Sequence, residues 1–480
     1  MTGVAAPRLV VAGLSGDSGK TLVALALLLA ARERALTVRG FKKGPDYIDA
    51  AWAAWASGAP ARNLDTFLTG PDEVAARFAA HAARSDTVTC GALNVIEGNL
   101  GLFDGTDAAG THSTAALAKV LAAPVILVVS ARKVTATAAA LVRGCQVLDP
   151  DLAIAGVVLN QVAGRRHEAV AREAIERACG VPVLGAIPRL GEAELLPGRH
   201  LGLVPPVEHQ ATAGTAETLR RIAREHLDVE RLLACAAAAP SVERRAEALR
   251  HGAEAPRHEV VGAAAPVSIG YLADSAFSFY YPENLEALEA RGARLVPLSS
   301  LAATAMPPDV SALYIGGGFP ETHAAAIARN RPFLGALRAA AAGGLPVFAE
   351  CGGLMLLARS LAWRGQRHEM AGVLPIDVEV LDAPQGHGYV VLAVDRPNPF
   401  FDVDAQVRGH EFHYSRLVGD VPDCACAVVR GTGCGAGRDA IVVDRVWASY
   451  THLHAAGVPE WANGMVRAAR AYRAQPGGEA

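Results

Sequence analysis

The chain has no apolar run of the roughly 20 uninterrupted residues that a membrane-spanning helix needs. Every hydrophobic stretch is broken by glycine, proline or charge, so no span is expected. It also lacks a charge bias. Its 45 lysines and arginines stand against 48 aspartates and glutamates, for a formal net charge of −3, which excludes the basic footprint of a nucleic-acid binder and an acidic or basic tail. Small molecules are the expected partners. Its eight cysteines are scattered, and the close pair Cys424 and Cys426 has the wrong spacing for a CxxC metal clip and no second pair to match it. The Met1-Thr2-Gly3 start has neither the charged region nor the apolar run of a secretory signal, which with the unpaired cysteines points to a reducing cytoplasm. No internal repeat is present.

At 480 residues the chain is too long for one ordinary core, and two domains are expected. Arg8–Gly13 reads as a buried strand, followed by a Gly/Ser turn and an apolar helix from Lys20. Short β-branched runs recur at 92–97, 124–130, 153–160 and 182–188, separated by Ala-rich segments long enough for crossover helices, which predicts a parallel α/β sheet. The first domain is assigned to 1–235. From 236 to 265 the composition shifts to Ala, Arg, Glu and His without a strand-like run, the mark of a linker. A second α/β series follows over 266–475.

The turn from Gly13 through Ser15, Gly16, Ser18 and Gly19 to Lys20 and Thr21 has the ending of a phosphate loop: backbone N–H groups to wrap phosphates, a lysine for the outer ones and a hydroxyl for magnesium. Its first glycine lies one residue further upstream than the standard spacing, as in the loop of dethiobiotin synthetase and MinD-like proteins. Asp46 and Asp49 follow a predicted strand, and Glu97 and Asp104 follow another; at the carboxyl ends of strands these acids can converge on phosphates and their metal.

In the second half an apolar strand runs through Cys351 into an apolar helix, with Ala349, Gly352 and Gly353 allowing a sharp turn. This is the form of a nucleophile elbow, and the helix start is expected to lower the thiol pKa. The nucleophile needs a base. His452 is favoured and His454 is the runner-up, while the N–H groups of the Gly316-Gly317-Gly318 turn are candidates for an oxyanion hole.

Eight motifs in order carry a resemblance: Gly19-Lys20-Thr21, Lys43 to Asp49, Asn63-Leu64-Asp65, Glu97 to Gly105, Asp274 to Asn284, Gly316 to Glu321, Ala349 to Gly353 and Gly409 to His413. From residue 8 to about 470 the chain resembles the cobyrinic acid a,c-diamide synthase family of cobalamin biosynthesis. The resemblance implies an N-terminal P-loop, dethiobiotin synthetase-like domain and a C-terminal class I glutamine amidotransferase-like domain, both α/β. It implies amidation of the a and c acetate carboxylates of cobyrinic acid by an ATP- and glutamine-dependent carbon–nitrogen ligase, through a phosphorylated carboxylate. Under it, Thr21, Asp46 and Glu97 would hold Mg²⁺. Tyr47, Ile48, Asp49 and Asp104 would position the macrocycle's carboxylate or the attacking ammonia. Asn160 and Pro188 would flank the nucleotide base, and Cys351 and His452 would hydrolyse glutamine.

There are departures. Ser130 stands where the family often has Asp, Ala53 near a frequent histidine, and His454 where class I amidotransferases carry the third, acidic member of the triad. The Pro384 to Tyr389 stretch is similar to a sirohaem amidase subgroup, which keeps a sirohaem-type substrate as an alternative to the corrinoid. A MinD-like ATPase switch is a further alternative, opposed by the intact Cys351 and His452 and by the lack of a basic amphipathic C-terminal helix. The oligomeric state stays open, with a homodimer among the options.

Overall fold

The computed structural model describes residues 6–84, 91–190, 196, 198–199, 202–209, 212–241 and 266–475. The chain divides into two compact units, Met1–Arg257 and His258–Ala480. Of the stretch read as a linker, 242–265 lies outside the described residues.

The first unit is built on seven strands: β1 (Arg8–Gly13), β2 (Thr37–Lys43), β3 (Arg62–Leu64), β4 (Ala92–Glu97), β5 (Val125–Ser130), β6 (Ile154–Val162) and β7 (Val183–Pro188). Their order in the sheet is β3-β2-β4-β1-β5-β6-β7, and every pairing is parallel. Parallel strands need covered faces on both sides, and β1 and β4 are buried along their whole length. The cover comes from α1 (Lys20–Glu33), α2 (Tyr47–Ser57), α3 (Pro71–His81), α4 (Thr114–Val120), α5 (Thr137–Leu148), α6 (Arg165–Cys179), α7 (Thr212–His226) and α8 (Val229–Ala237). Helix α1 is apolar almost all round because it is enclosed by the sheet, α2 and α7. A short ribbon, β8 (Gly198–Arg199) with β9 (Gly202–Leu203), precedes α7.

Because β1 is followed in sequence by β2 on one side but has β5 on the other, the chain reverses its direction of progress across the sheet at β1. A crevice opens at such a point, at the carboxyl ends of the strands. The register brings the right residues to that edge. Val11 and Lys42 both lie opposite Glu97, and Ser130 lies opposite Asn160.

The second unit carries a ten-stranded mixed sheet. Its parallel half is β12 (Ala293–Leu298), β10 (Val267–Leu272), β13 (Val310–Ile315), β15 (Val347–Glu350) and β24 (Val446–Ser449). Its antiparallel half continues with β23 (Arg438–Val443), β22 (Cys424–Arg430), β19 (Gly386–Val394), β20 (Gln406–His413) and β25 (His452–Leu453). Strand β25 follows β24 after only Tyr450 and Thr451, so the antiparallel half must curl until its far edge returns beside the strand it left. That return carries His452 to the carboxyl end of β15. Smaller sheets pair β11 (Phe277–Phe279) with β14 (Gly317–Gly318), and β16 (Ser360–Trp363) with β17 (Gln366–Glu369) and β18 (Asp377–Val380), the last also joined by β21 (Ser415–Val418). Two clusters of buried side chains form the core of this unit, one including Leu354 to Ala358 behind Cys351, the other the aromatic group Phe348, Trp447 and Trp461.

One buried side chain shows what fixes the entry to the first sheet. Asn94, fully buried in β4, donates to the carbonyls of Pro7 (2.9 Å) and Ala83 (2.9 Å) and accepts from the Ala83 N–H (2.8 Å). Replacing Asn94 by Ala takes this partner from the buried N–H and carbonyl of Ala83, while the Pro7 carbonyl keeps the residue-94 backbone N–H (2.9 Å); the change is expected to cost about 2–3 kcal/mol, read as a lower denaturant midpoint of the first unit's unfolding.

Candidate active site

The phosphate loop turns between β1 and α1. Gly13 closes β1, and a Cβ there would lie 1.9 Å from Ser18 Oγ and 3.1 Å from Lys20 Cγ, so only glycine lets the loop fold back over its own start. Gly19 has φ 97°, and its Cβ would meet Asn160 Nδ2 at 2.2 Å. Asn160 Nδ2 also donates to the Ser18 carbonyl at 2.9 Å. Asn160 therefore fastens the loop itself, a bond the sequence reading did not foresee; Pro188 ends β7, two strands beyond β5. Lys20 Nζ donates to the carbonyls of Ser15 (2.8 Å), Gly16 (3.1 Å) and Leu100 (2.8 Å), which holds the ammonium over the loop. Burial, aided by the neighbouring Lys42 charge, lowers its pKa to about 8.

Beside the loop lies a buried charge cluster. Lys42 Nζ is 2.6 Å from Asp49 Oδ2 and 3.2 Å from Glu97 Oε1, and donates to the Gly98 carbonyl at 3.0 Å. Burial opposes its charge, but Asp49, Glu97 and Asp46 outweigh it and raise its pKa. Thr21 Oγ1 donates to the same Glu97 Oε1 at 2.5 Å. Burial pushes the Glu97 carboxyl up to about 7, with Lys42 opposing and Asp49 adding to it. Burial and then Asp49 push Asp46 up to about 6. Asp46 also caps α2, accepting the Asp49 N–H at 2.8 Å, and Asn63 Nδ2 ties the turn by donating to the carbonyls of Gly44 (2.7 Å) and Asp46 (2.9 Å). Tyr47 and buried Ile48 open α2 directly after this cap.

The structure thus brings Lys20, Thr21, Asp46, Asp49 and Glu97 together. Asp104 is not among them: its Oδ2 accepts the Gly101 N–H at 2.7 Å in an exposed turn outside the buried cluster. Among the described residues nothing hydrogen-bonds to Ser18 Oγ or Glu97 Oε2, both beside the loop that would wrap a phosphate. Lys42 was not singled out from the sequence. The available signal was the pair Lys42-Lys43 at the buried end of β2.

In the second unit Cys351 sits between β15 and the helix Gly352–Leu357 with φ 47° and ψ −96°, a conformation that costs a non-glycine residue on the order of 1–3 kcal/mol. It is held there by its N–H bond to the Ser449 carbonyl (2.7 Å) and by glycines that admit close backbone approach. A Cβ on Gly353 would lie 2.6 Å from the Ile315 carbonyl oxygen, and one on Gly352 3.1 Å from the Gly318 nitrogen. The elbow and the glycine turn are therefore in contact. Within that turn the Gly316 N–H donates to Tyr280 Oη (2.8 Å) and the Phe319 N–H to the Ala276 carbonyl (3.0 Å), and Gly317 and Gly318 form β14.

The thiol itself departs from expectation. Burial raises the Cys351 pKa, and Glu321, Glu350 and Glu411 add to the effect. The Gly352 N–H at the start of the six-residue helix behind it pulls the other way, but desolvation and three carboxylates outweigh that one donor. His452 reaches the elbow from β25. A Cβ on Gly317 would lie 2.4 Å from His452 Cε1, its Nδ1 is 3.8 Å from Glu350 Oε2, and its ring stacks on His410 at 4.9 Å. His454 is turned elsewhere, with Nε2 3.7 Å from Glu283 Oε2 and its ring 4.7 Å from that of Tyr281.

A family model described as the CobQ/CobB/MinD/ParA nucleotide binding domain matches residues 9–204, and one described as the CobB/CobQ-like glutamine amidotransferase domain matches residues 268–459. A cobyrinate a,c-diamide synthase of Magnetococcus marinus is 45% identical over 463 residues, spanning 96% of this chain and 97% of that one. The chain belongs to the cobyrinate a,c-diamide synthase family. Relatives of the same name from Methanothermobacter thermautotrophicus and Archaeoglobus fulgidus are 38% and 36% identical, over 96% and 93% of this chain and 99% and 94% of theirs. A family member with these two domains is a glutamine-dependent carbon–nitrogen ligase with a nucleotide-binding half. Among the described residues no helix is long and apolar enough to cross a membrane.

The tight fit of His452 against the glycine turn gives a direct test. Gly317→Ala places a methyl where the imidazole now lies and is expected to lower glutamine hydrolysis at least tenfold while ammonia-supported turnover persists, as measured by glutamate release and product formation in parallel.

Proposed function

We propose that this protein amidates the a and c acetate side chains of cobyrinic acid, using ATP to activate each carboxylate and glutamine as the source of ammonia. The observation that carries the reading is the pairing, in one chain of this family, of a phosphate loop bordered by the buried Lys42–Asp49–Glu97 cluster with a strained cysteine elbow packed on the glycine turn that His452 also meets.

In the first unit the N–H groups of Gly16 to Thr21 and the Lys20 ammonium bind the triphosphate. Asp49 in the first turn of α2 and Lys42 near the end of β2 stand beside half-buried Tyr47, which offers a contact for the macrocycle. The substrate carboxylate oxygen attacks the γ-phosphorus, ADP leaves, and an acyl phosphate forms. Ammonia then attacks the acyl carbon, inorganic phosphate leaves, and the amide remains. Lys42, held charged by its carboxylates, stabilises negative charge gathered on the transferred group.

Thr21, Glu97 and Asp46 suit a divalent cation: they are hard oxygen donors, burial penalises both carboxylates in their charged form, and among the described residues nothing hydrogen-bonds to Glu97 Oε2. Bound Mg²⁺ would neutralise charge on the triphosphate oxygens.

In the second unit the resting thiol is neutral, so His452 must take its proton as Cys351 Sγ attacks the glutamine amide carbon. The tetrahedral oxyanion is met by N–H groups of the glycine turn. Ammonia departs after accepting the proton, and water hydrolyses the thioester to glutamate, with His452 again as base.

Cobyrinic acid and sirohaem are offered separately with ATP, Mg²⁺ and glutamine, and products are read by mass spectrometry. Two carboxyl-to-amide conversions on cobyrinic acid alone are expected; conversion of sirohaem alone would sink the corrinoid assignment. Cys351→Ala should lower glutamine-supported amidation by about 10³-fold or more and spare ammonia-supported amidation, whereas Asp49→Ala should lower amidation from either nitrogen source and spare glutamine hydrolysis.

The two shifted groups in the first unit set a pH window. The Lys20 ammonium, its pKa lowered to about 8, is present below that pH and lost above it. The Glu97 carboxylate, its pKa raised to about 7, is present above that pH and lost below it. Calorimetric affinity for ATP with Mg²⁺ should therefore peak between about 7 and about 8 and fall on both sides. Glu97→Gln should flatten the acid limb alone.

A further inference from the structure

We infer that Glu350, the residue immediately before the nucleophile, is the positioning carboxylate for the His452 imidazole, in the role that the acidic residue two places after the base fills elsewhere among class I amidotransferases. The inference rests on the reading of Cys351 and His452 as nucleophile and base.

Glu350 closes β15 and is fully buried. Its Oε1 accepts the Leu453 N–H at 3.0 Å, its Oε2 accepts the Tyr314 hydroxyl at 2.9 Å, and the same Oε2 lies 3.8 Å from His452 Nδ1. Behind it, Asn284 Nδ2 donates to Tyr314 Oη (3.1 Å) and to the Leu453 carbonyl (3.0 Å), and Asn284 Oδ1 accepts the Ala455 N–H (2.7 Å). One buried network therefore grips the backbone from 453 to 455, directly after the base, and aims a carboxylate at the ring. His454 cannot supply that charge, and it faces Glu283.

At 3.8 Å the Glu350–His452 contact is a charge pairing, not a hydrogen bond. Such contacts are often long in unliganded sites and tighten when substrate is bound. In a dry site a carboxylate at this range favours the imidazolium form, which His452 adopts on taking the thiol proton. His410 is stacked on the other side of the ring from β20. Tyr281 packs against both His410 and His454, while Glu321 and Glu411 act on the thiol side. Glu350 is the carboxylate that reaches Nδ1.

The test uses the full chain with Glu350→Gln, which keeps the size and, through its one amide oxygen, can still accept the Leu453 N–H but carries no charge, and Glu350→Asp, which keeps the charge. Glutamine hydrolysis is followed for kcat, KM and the pH profile of kcat/KM, and ammonia-supported amidation is measured on the same preparations. Glu350→Gln is expected to lower kcat on the order of 10²-fold and leave KM within about threefold. It should also shift the acid limb to lower pH, since removing a negative neighbour makes the imidazole easier to deprotonate, and leave ammonia-supported amidation unchanged. Glu350→Asp should recover part of kcat. An unchanged kcat and acid limb, or a parallel loss of glutamine- and ammonia-supported turnover, would overturn the assignment. Cys351→Ala and His452→Ala are run alongside. If either retains glutamine hydrolysis, the underlying reading fails; if both lose it while Glu350→Gln does not, only the role of Glu350 falls.

Discussion

A lysine ammonium buried among carboxylates governs the first unit. Lys42 is shut away from water, where an unpaired charge would be several kcal/mol too expensive, so β2, β4 and α2 must stay in the register that brings Glu97 and Asp49 to its Nζ. The same constraint shapes the neighbouring turn. Asp46 can cap α2 only if the chain leaves β2 through Gly44, whose φ of 89° allows the bend, and Asn63 then ties that bend to β3. Thr21 reaches the cluster through Glu97, so the first turn of α1 joins the same network as the two strands beside it.

The second unit solves a different problem with backbone geometry. A residue held at positive φ must be restrained from all sides, and Cys351 is restrained by a strand, a short helix and a glycine turn packed so closely that no methyl fits between them. His452, the proposed base, arrives on a strand that belongs to the opposite half of the sheet, yet is joined to the core strand β24 by two residues. Asp439 secures that short joint, accepting the N–H groups of Tyr450 (3.1 Å) and Thr451 (3.2 Å) and the Thr451 hydroxyl (2.6 Å).

The parallel first sheet, the phosphate loop and the cysteine elbow were legible because each is written in contiguous residues: a strand, small residues that permit the turn, and a helix. The roles of Lys42, Glu350, Tyr314 and Asn284 were not, because they arise from strand register and from contacts across long sequence separations. Lys42 meets Glu97 55 positions away and Glu350 meets the backbone of Leu453 103 positions away. Asp104 stands seven positions beyond Glu97 in an exposed turn whose backbone packs on the phosphate loop, so its place apart from the Lys42 cluster is set by the turn and not by strand register. The thiol's protonation was misjudged for a related reason, since the sequence displays the helix start but not the three carboxylates folded around it.

The high resting pKa of Cys351 has a chemical consequence of its own. Thiolates, not thiols, react with peroxides and electrophiles, so a nucleophile kept neutral by burial and by surrounding acids is a poor target for oxidation. A cysteine poised permanently as its anion would react with whatever small oxidant arrived. On the proposed mechanism deprotonation is left to the moment when the amide and the imidazole are both in place, so between turnovers the site offers small oxidants a thiol and not a thiolate.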